Sequence, residues 1–300
     1  MKYVDFLEKL KQSCKGVGDK LVITGHDMSD GDSVISAVML ERVLGKIGVK
    51  AKVKFPTPPD NVTLRDMKTL GIWRDDYIAP FDEDEILILV DHHATFYKNM
   101  VVGCVDHHTT PPPPIFENAL VVRASSCGKV IYDIAVECCL DDDWLKKLAL
   151  YSVFLDTQSC RSSKFNREDA PWVDKTIEVC SIVRSEIEKM GFCLMSPDED
   201  ANELAMYAYK RYEFNGKPSA STAIQIDASE VEWELLIPQI VECLKAKLVS
   251  DGYKMWAFVL NMPIESRSDI YFIYPDRVEV LKLDRLASRS KDVIPIANLL

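Results

Sequence analysis

The sequence predicts an α/β protein: an N-terminal parallel-sheet domain with helices on both faces, followed by a smaller C-terminal α+β domain. Two observations carry the first part. From Lys20 onward short aliphatic runs alternate with longer amphipathic ones, the pattern of parallel strands joined by crossover helices. Several aliphatic runs end directly on aspartate or histidine, and the carboxyl ends of strands are where open α/β sheets place their ligands. A third observation, a change of pattern after residues 192–202, marks the second domain. A chain of 300 residues, 47% hydrophobic, has the size for one large domain or two ordinary ones.

Taken in order, MKYVDFLEKLKQSCKG reads as an amphipathic helix and LVIT at 21–24 as the first buried strand. The loop GHDMSDGD leads into a helix over 33–47, with Ala37, Leu40, Val43, Leu44 and Ile47 on one face and Gly48 as its stop. KAKVKF at 50–55, EILILV at 85–90 and MVVGCV at 100–105 are the next three strands. Four consecutive prolines at 111–114 exclude helix and central strand and mark an exposed loop. Helical patterns occupy 127–140, 144–155 and 169–190, the second introduced by the acidic run 141–143, which suits a helix N-terminus. The expected boundaries are 1–191 for the first domain, 192–202 for a linker and 203–300 for the second. In the latter, a turn at Asn215-Gly216-Lys217 precedes the strand SASTAIQID, a helix over 230–250 and strands near 255–261 and 269–274.

Composition narrows the function classes. Thirty-six basic against 47 acidic residues leave a net charge of -11, which offers no broad basic surface for a nucleic-acid backbone. No apolar run approaches the roughly 18 residues of a membrane span, and the first residues do not read as a signal peptide, so a cytoplasmic location is expected. The nine cysteines are irregularly spaced, Cys138 and Cys139 are adjacent, and no C-x-x-C occurs, so reduced thiols are expected.

The chemistry concentrates in the first domain. All five histidines, His26, His92, His93, His107 and His108, fall within the first 108 residues, each near an aspartate. The loop after the first strand reads His26-x-x-x-Asp30-x-Asp32; the third strand runs into Asp91-His92-His93 and the fourth into Asp106-His107-His108. Asp156, in YSVFLDTQS, follows another aliphatic run and reads as a fourth acidic strand end. Parallel strands would bring these groups to one crevice, where unpaired carboxylates repel one another unless cations sit among them. Mixed His and Asp ligands without cysteine suit Mn²⁺, Co²⁺, Fe²⁺ or Mg²⁺ better than a structural zinc, and two divalent ions sharing one carboxylate is the natural arrangement.

The ordered set G-H-D-M-S-D-G-D-S, L-V-D-H, V-V-G-C-V-D-H-H and L-D-T resembles motifs one to four of the DHH phosphoesterase superfamily, so the N-terminal α/β domain is expected to be a metal-binding DHH catalytic domain. In the second domain, Lys210-Arg211-Tyr212-Glu213-Phe214 and Ser288-Arg289-Ser290-Lys291 resemble the lysine element and basic tail of the branch holding family II inorganic pyrophosphatases, exopolyphosphatases and prune-like proteins. The branch that cleaves nucleotides carries a G-G-G-H loop, and this chain has no Gly-Gly pair. Gly25-His26 matches the pyrophosphatase form of the first motif, where exopolyphosphatases have G-N. Asp91-His92-His93 keeps the histidine of the pyrophosphatase D-H-N and departs at its third position.

The resemblance implies one cation held by His26, Asp30 and Asp91 and a second by Asp32, Asp91, His107 and Asp156, with Asp91 as bridge. Mn²⁺ is the implied cofactor, with Co²⁺ or Mg²⁺ as alternatives. It further implies attack by a hydroxide activated between the two metals, His108 as proton donor and phosphate contact, and Lys210, Arg289 and Lys291 as contacts of the far phosphate. The expected activity is hydrolysis of a phosphoanhydride, pyrophosphate first and polyphosphate as the alternative, on a small anionic substrate and without nucleic-acid or membrane partners. Nucleotide phosphodiester cleavage and a prune-like scaffold role rank below these. Chain-length preference, homodimer formation and the roles of His92, His93, Arg161 and Lys164 stay open.

Overall fold

The computed structural model of the chain describes residues 2–93, 97–109, 118–192, 200–229 and 232–299. These form two compact units, Met1–Cys160 with Lys164–Met190, and Arg161–Ser163 with Gly191–Leu300. The proline run at 111–114 and most of the expected linker lie outside the described residues. Among the described residues no helix is long and apolar enough to cross a membrane, and the cysteines form no disulfide.

The first unit runs α1 (Lys2–Ser13), β1 (Leu21–Thr24), α2 (Gly31–Lys46), β2 (Lys52–Val53), α3 (Asn61–Thr69), β3 (Ile86–Val90), β4 (Met100–Asp106), β5 (Ala119–Val121), α4 (Cys127–Glu137), α5 (Asp143–Asp156), α6 (Ala170–Val179) and α7 (Arg184–Ile187). Its sheet has the order β2-β1-β3-β4-β5, with every neighbouring pair parallel. The register sets Thr24 opposite Leu89 and Val90 opposite Val105. The carboxyl ends of β1, β3 and β4 therefore finish side by side, and the residues that follow them share one edge.

Alternation along the strands divides the apolar side chains between two faces. Leu21, Ile23, Ile88, Val90 and Val105 join the main core with α1, α2, α4 and α5. Val22, Leu87, Leu89 and Cys104 point the other way and pack with Phe81 and Tyr97, which belong to connections.

Three local differences from the expected elements have physical reasons. β5 is only three residues long, too short to register as an alternating run. Asp156 ends α5 instead of a strand, because YSVFLD continues the helical face of Leu145, Leu148 and Ala149 into the core. The helical pattern over 169–190 is interrupted after α6, where Ser181 takes a left-handed φ of 52° among β-branched Val179, Ile182 and Val183.

The second unit runs α8 (Ala201–Leu204), β6 (Lys210–Phe214), β7 (Lys217–Gln225), α9 (Glu232–Ser250), β8 (Met255–Met262), β9 (Arg267–Ile273), β10 (Val278–Leu283) and α10 (Ile294–Ala297). Its sheet order is β10-β9-β8-β7-β6; only β7 and β8 are parallel, and α9 is the crossover between them. Central β8 is buried along its whole length, as its unbroken apolar sequence requires. β6 and β10 are the edges. Their polar, half-exposed alternation hid both from a reading based on apolar runs.

Leu10 of α1 is fully buried against β4: a Cβ added at Gly103 would stand 2.6 Å from Leu10 Cδ1 and 3.1 Å from the Asn118 carbonyl. Gly103→Ala is expected to cost about 1–3 kcal/mol by overpacking, and Leu10→Ala about 2–5 kcal/mol through its cavity. The double variant should lose less than the sum, because the new methyl enters vacated space. Denaturant unfolding of the four proteins checks this, and strict additivity would show that the two side chains do not share that space.

Candidate metal centre

The loop between β1 and α2 must pass close to the helix it feeds. A Cβ at Gly25 would lie 2.6 Å from Ser33 Cβ and 2.8 Å from Ser29 Oγ, so only glycine fits. Ser29 Oγ donates to the His26 carbonyl at 2.7 Å, and Tyr97 hydroxyl to that of Gly25 at 3.3 Å. Asp30 then caps α2 by accepting from Ser33 N at 3.2 Å, and Asp32 occupies the helix's first turn, where negative charge is favoured.

Asp32 is buried and held by four donors. Cys127 N meets its Oδ2 at 2.8 Å, while Gly128 N, Ser152 Oγ and Ser36 Oγ meet Oδ1 at 3.0, 2.6 and 3.1 Å. Two helix N-termini, those of α2 and α4, converge on this carboxylate. Burial nonetheless raises its pKa, and the neighbouring Asp91 charge raises it further.

Asp91 follows β3 directly and adopts a left-handed φ of 63°, a conformation aspartate tolerates better than most side chains and one concentrated at functional turns. Its N–H still donates to the Val105 carbonyl at 3.0 Å, which extends the β3–β4 pairing by one residue. Ser33 Oγ donates to Asp91 Oδ2 at 2.7 Å.

The histidines are pre-set for ligation. His26 Nδ1 donates to the Asp27 carbonyl at 2.8 Å and His107 Nδ1 to that of Ala124 at 3.2 Å. Carbonyls only accept, so both rings carry a proton on Nδ1, and in the neutral ring Nε2 is the nitrogen left with a lone pair for a cation. His26 Nε2 faces Asp30 Oδ2 at 3.4 Å and Asp91 Oδ2 at 3.7 Å. His107 Nε2 faces Asp91 Oδ1 at 3.2 Å, Asp156 Oδ2 at 3.6 Å and Asp32 Oδ2 at 3.7 Å.

Three of these buried atoms, Asp91 Oδ1, His107 Nε2 and Asp156 Oδ2, have no hydrogen-bond partner. Buried polar atoms are nearly always satisfied, and three orphans aimed at one point fit a cation. Ligand atoms of His26, Asp30 and Asp91, of Asp32, His107 and Asp156, and of Asp91, His107 and His108 each lie within 4.8 Å of one another. Asp91 thus stands between the His26 side and the His107 side. Without a cation the field acts on His107: burial opposes its charge, but Asp91, Asp156 and Asp32 outweigh burial and push the imidazole up to about 10.

Asp156 reaches this point from the C-terminus of α5, the helix end that disfavours an anion, and Lys164 pairs with its Oδ1. His108 is the more open neighbour, its side chain 43% exposed, with Nδ1 donating to Asp106 Oδ1 at 2.9 Å. Burial works against its charge, but that bond and the Asp91 charge raise its pKa. His92 Nδ1 donates to the Val90 carbonyl at 3.0 Å, and burial lowers its pKa.

In the second unit, Lys210 opens β6 and is exposed. Arg289 donates to the Ala208 carbonyl just before it, which makes the tail and the lysine element neighbours. Lys291 belongs to the π-helical turn Arg289–Val293, its side chain outside what is described, and Arg161 groups with this unit. The apolar-run reading overlooked Ser33, Ser152 and the N–H groups of α4, although S-S-C-G before an apolar helix is itself a cap signature. Nothing local announces Ser152.

The DHH family, N-terminal domain, matches residues 20–151. A manganese-dependent inorganic pyrophosphatase of Methanothrix thermoacetophila (strain DSM 6194 / JCM 14653 / NBRC 101360 / PT) is 22% identical over 281 residues, 86% of each chain. A Methanococcus jannaschii crystal structure assigned to the family II inorganic pyrophosphatases superposes with a TM-score of 0.74 at 20% identity, covering 93% of this chain and 98% of the other. An exopolyphosphatase-related protein from Bacteroides fragilis reaches 0.49 at 15% identity, over 90% and 83% of the two chains. The matched segment, residues 20–151, carries His26, Asp30, Asp32, Asp91, His107 and His108, so most of the candidate centre lies within the part of the chain that is similar to the DHH family's N-terminal domain.

Proposed function

We propose that this protein hydrolyses a phosphoanhydride, with inorganic pyrophosphate as the substrate, at a site for two divalent cations that share Asp91. The observation that carries this reading is the trio of unpartnered buried atoms on Asp91, His107 and Asp156, set between two groups of ligand atoms. In this reading His26, Asp30 and Asp91 hold one cation, and Asp32, Asp91, His107 and Asp156 the other. The donor set of imidazole and carboxylate without thiolate suits Mn²⁺ first, then Co²⁺ or Mg²⁺, and similarity to a manganese-dependent inorganic pyrophosphatase supports both metal and substrate.

When bound, two such cations supply hydroxide near neutral pH and neutralise charge as phosphorus is attacked. The chain's own groups do the rest. Ser33 and the α4 N–H groups fix the carboxylates, and the Nδ1 bonds of His26 and His107 orient both rings with Nε2 toward the carboxylate cluster. His108, raised in pKa by Asp106 and Asp91 against the effect of burial and partly open, is the group placed to deliver a proton to the leaving phosphate. Lys210, Arg289 and Lys291 are assigned to the substrate's phosphates by the resemblance of their segments, where Arg offers paired donors and Lys a point charge.

Phosphate release from pyrophosphate, tripolyphosphate, long polyphosphate and a dinucleotide, each with Mn²⁺, Co²⁺ or Mg²⁺, tests the reading. Pyrophosphate should be cleaved fastest; cleavage of the dinucleotide alone would overturn it. Asp91→Asn keeps a residue that tolerates the left-handed backbone but removes the shared charge, and should lower the rate by about 100-fold or more. Retention of more than roughly a tenth of the wild-type rate would contradict a shared ligand.

Stability of the metal-free protein should also follow pH. The folded state raises His107 from 6.5 to about 10 and raises Asp32, so it binds protons that the unfolded chain has released. The contribution of His107 is therefore full below about 6.5 and is lost as pH rises toward 10, while that of Asp32 is lost earlier, between about 3.8 and 7. Melting temperatures between pH 6.5 and 10 should decline without metal and hold better with Mn²⁺. A metal-free melting temperature that rises over this range would show that the carboxylates do not govern the site.

A further inference from the structure

We infer that His93 is a positioning residue for His108, acting through the Asp106 carboxylate that the two share. The inference rests on the reading of His108 as the group that meets the leaving phosphate. Asp106 is fully buried at the end of β4, and its backbone is paired with β5 across from Val121, so its Cα cannot shift. Only the carboxylate can turn. Its Oδ1 accepts from His108 N at 3.0 Å and from His108 Nδ1 at 2.9 Å, and its Oδ2 accepts from His93 Nδ1 at 2.5 Å.

A carboxylate is planar, so fixing one oxygen fixes the other. The His93 bond sets the plane of Asp106, and that plane sets the His108 ring. With Nδ1 committed to Asp106, the ring keeps Nε2 for a ligand, on a side chain that is 43% exposed. His93 is not a member of the three ligand groups of the metal centre among the described residues. Its part is to keep one imidazole in one orientation, the kind of support that a proton-transfer group depends on.

The chemistry of the side chain defines the test. Asparagine carries its Nδ2 the same number of bonds from Cα as histidine carries Nδ1, so His93→Asn keeps a donor toward Asp106. His93→Ala removes it, and His93→Gln moves it one bond too far. His93→Ala and His93→Gln should lower kcat for pyrophosphate about tenfold, part of what general acid catalysis contributes, with KM changed less than about twofold. His93→Asn should stay within about threefold of wild type. Mn²⁺ stoichiometry, measured by calorimetric titration, should be unchanged in all three, which establishes that each is folded.

Two readouts separate positioning from a general structural role. In a double-mutant cycle, the effect of His93→Ala should vanish in a His108→Ala background. The histidine ¹⁵N–¹H spectrum should show the His108 Nδ1–H signal displaced in His93→Ala and restored in His93→Asn. An undiminished loss in the His108→Ala background, equal damage from Asn and Ala, or an unmoved His108 signal would overturn the inference. If His108→Ala alone keeps the wild-type kcat, the proton-donor reading of His108 falls, while the spectrum still decides whether His93 fixes the ring.

Discussion

Charge repulsion among crowded, mostly buried carboxylates is the constraint on which the rest of this structure depends. Asp30, Asp32, Asp91 and Asp156 converge on two histidine nitrogens, and two like charges about 4 Å apart repel by roughly 4 kcal/mol at an effective dielectric of about 20. A few such pairs rival the whole stability of a domain, about 5–15 kcal/mol. The donors that hold these groups, Ser33 on Asp91 and the α4 N–H groups on Asp32, orient them without neutralising them. The remaining charge calls for a cation. In its absence a proton on His107 and the Lys164 ammonium on Asp156 are partial substitutes.

The fold is organised to tolerate that constraint. Parallel strands bring β1, β3 and β4 to a common end, and the α2 and α4 N-termini add dipoles of favourable sign. Two of the places where local preference is violated are the left-handed backbone of Asp91 and the anion at the end of α5. Both serve the same carboxylate cluster, which is where violations of local rules are expected to gather.

Much of the parallel sheet was legible in the sequence, as were the strand-end groups that the structure gathers at one edge, because strand ends announce themselves locally: LVIT, ILILV and VVGCV each stop at the groups they present. What was not legible depends on contacts distant in sequence. Ser152 meets Asp32 across 120 positions, and Asp156 was read as a strand end because its aliphatic run does not reveal its period over so few residues. β5, β6 and β10 lack the apolar density that marks a buried strand. The tie from His93 to Asp106 is invisible for the same reason as Ser152, since only the β3–β4 pairing brings residues 93 and 106 together. The tautomers of His26 and His107, set by backbone carbonyls, are likewise a property of the fold and not of the motif.

The most direct test of the account is anomalous diffraction from crystals of the protein grown or soaked with Mn²⁺. Two peaks per chain are predicted, one bounded by His26 and Asp30, the other by Asp32, His107 and Asp156, with Asp91 a ligand to both. A single peak, or peaks that Asp91 does not join, would contradict it.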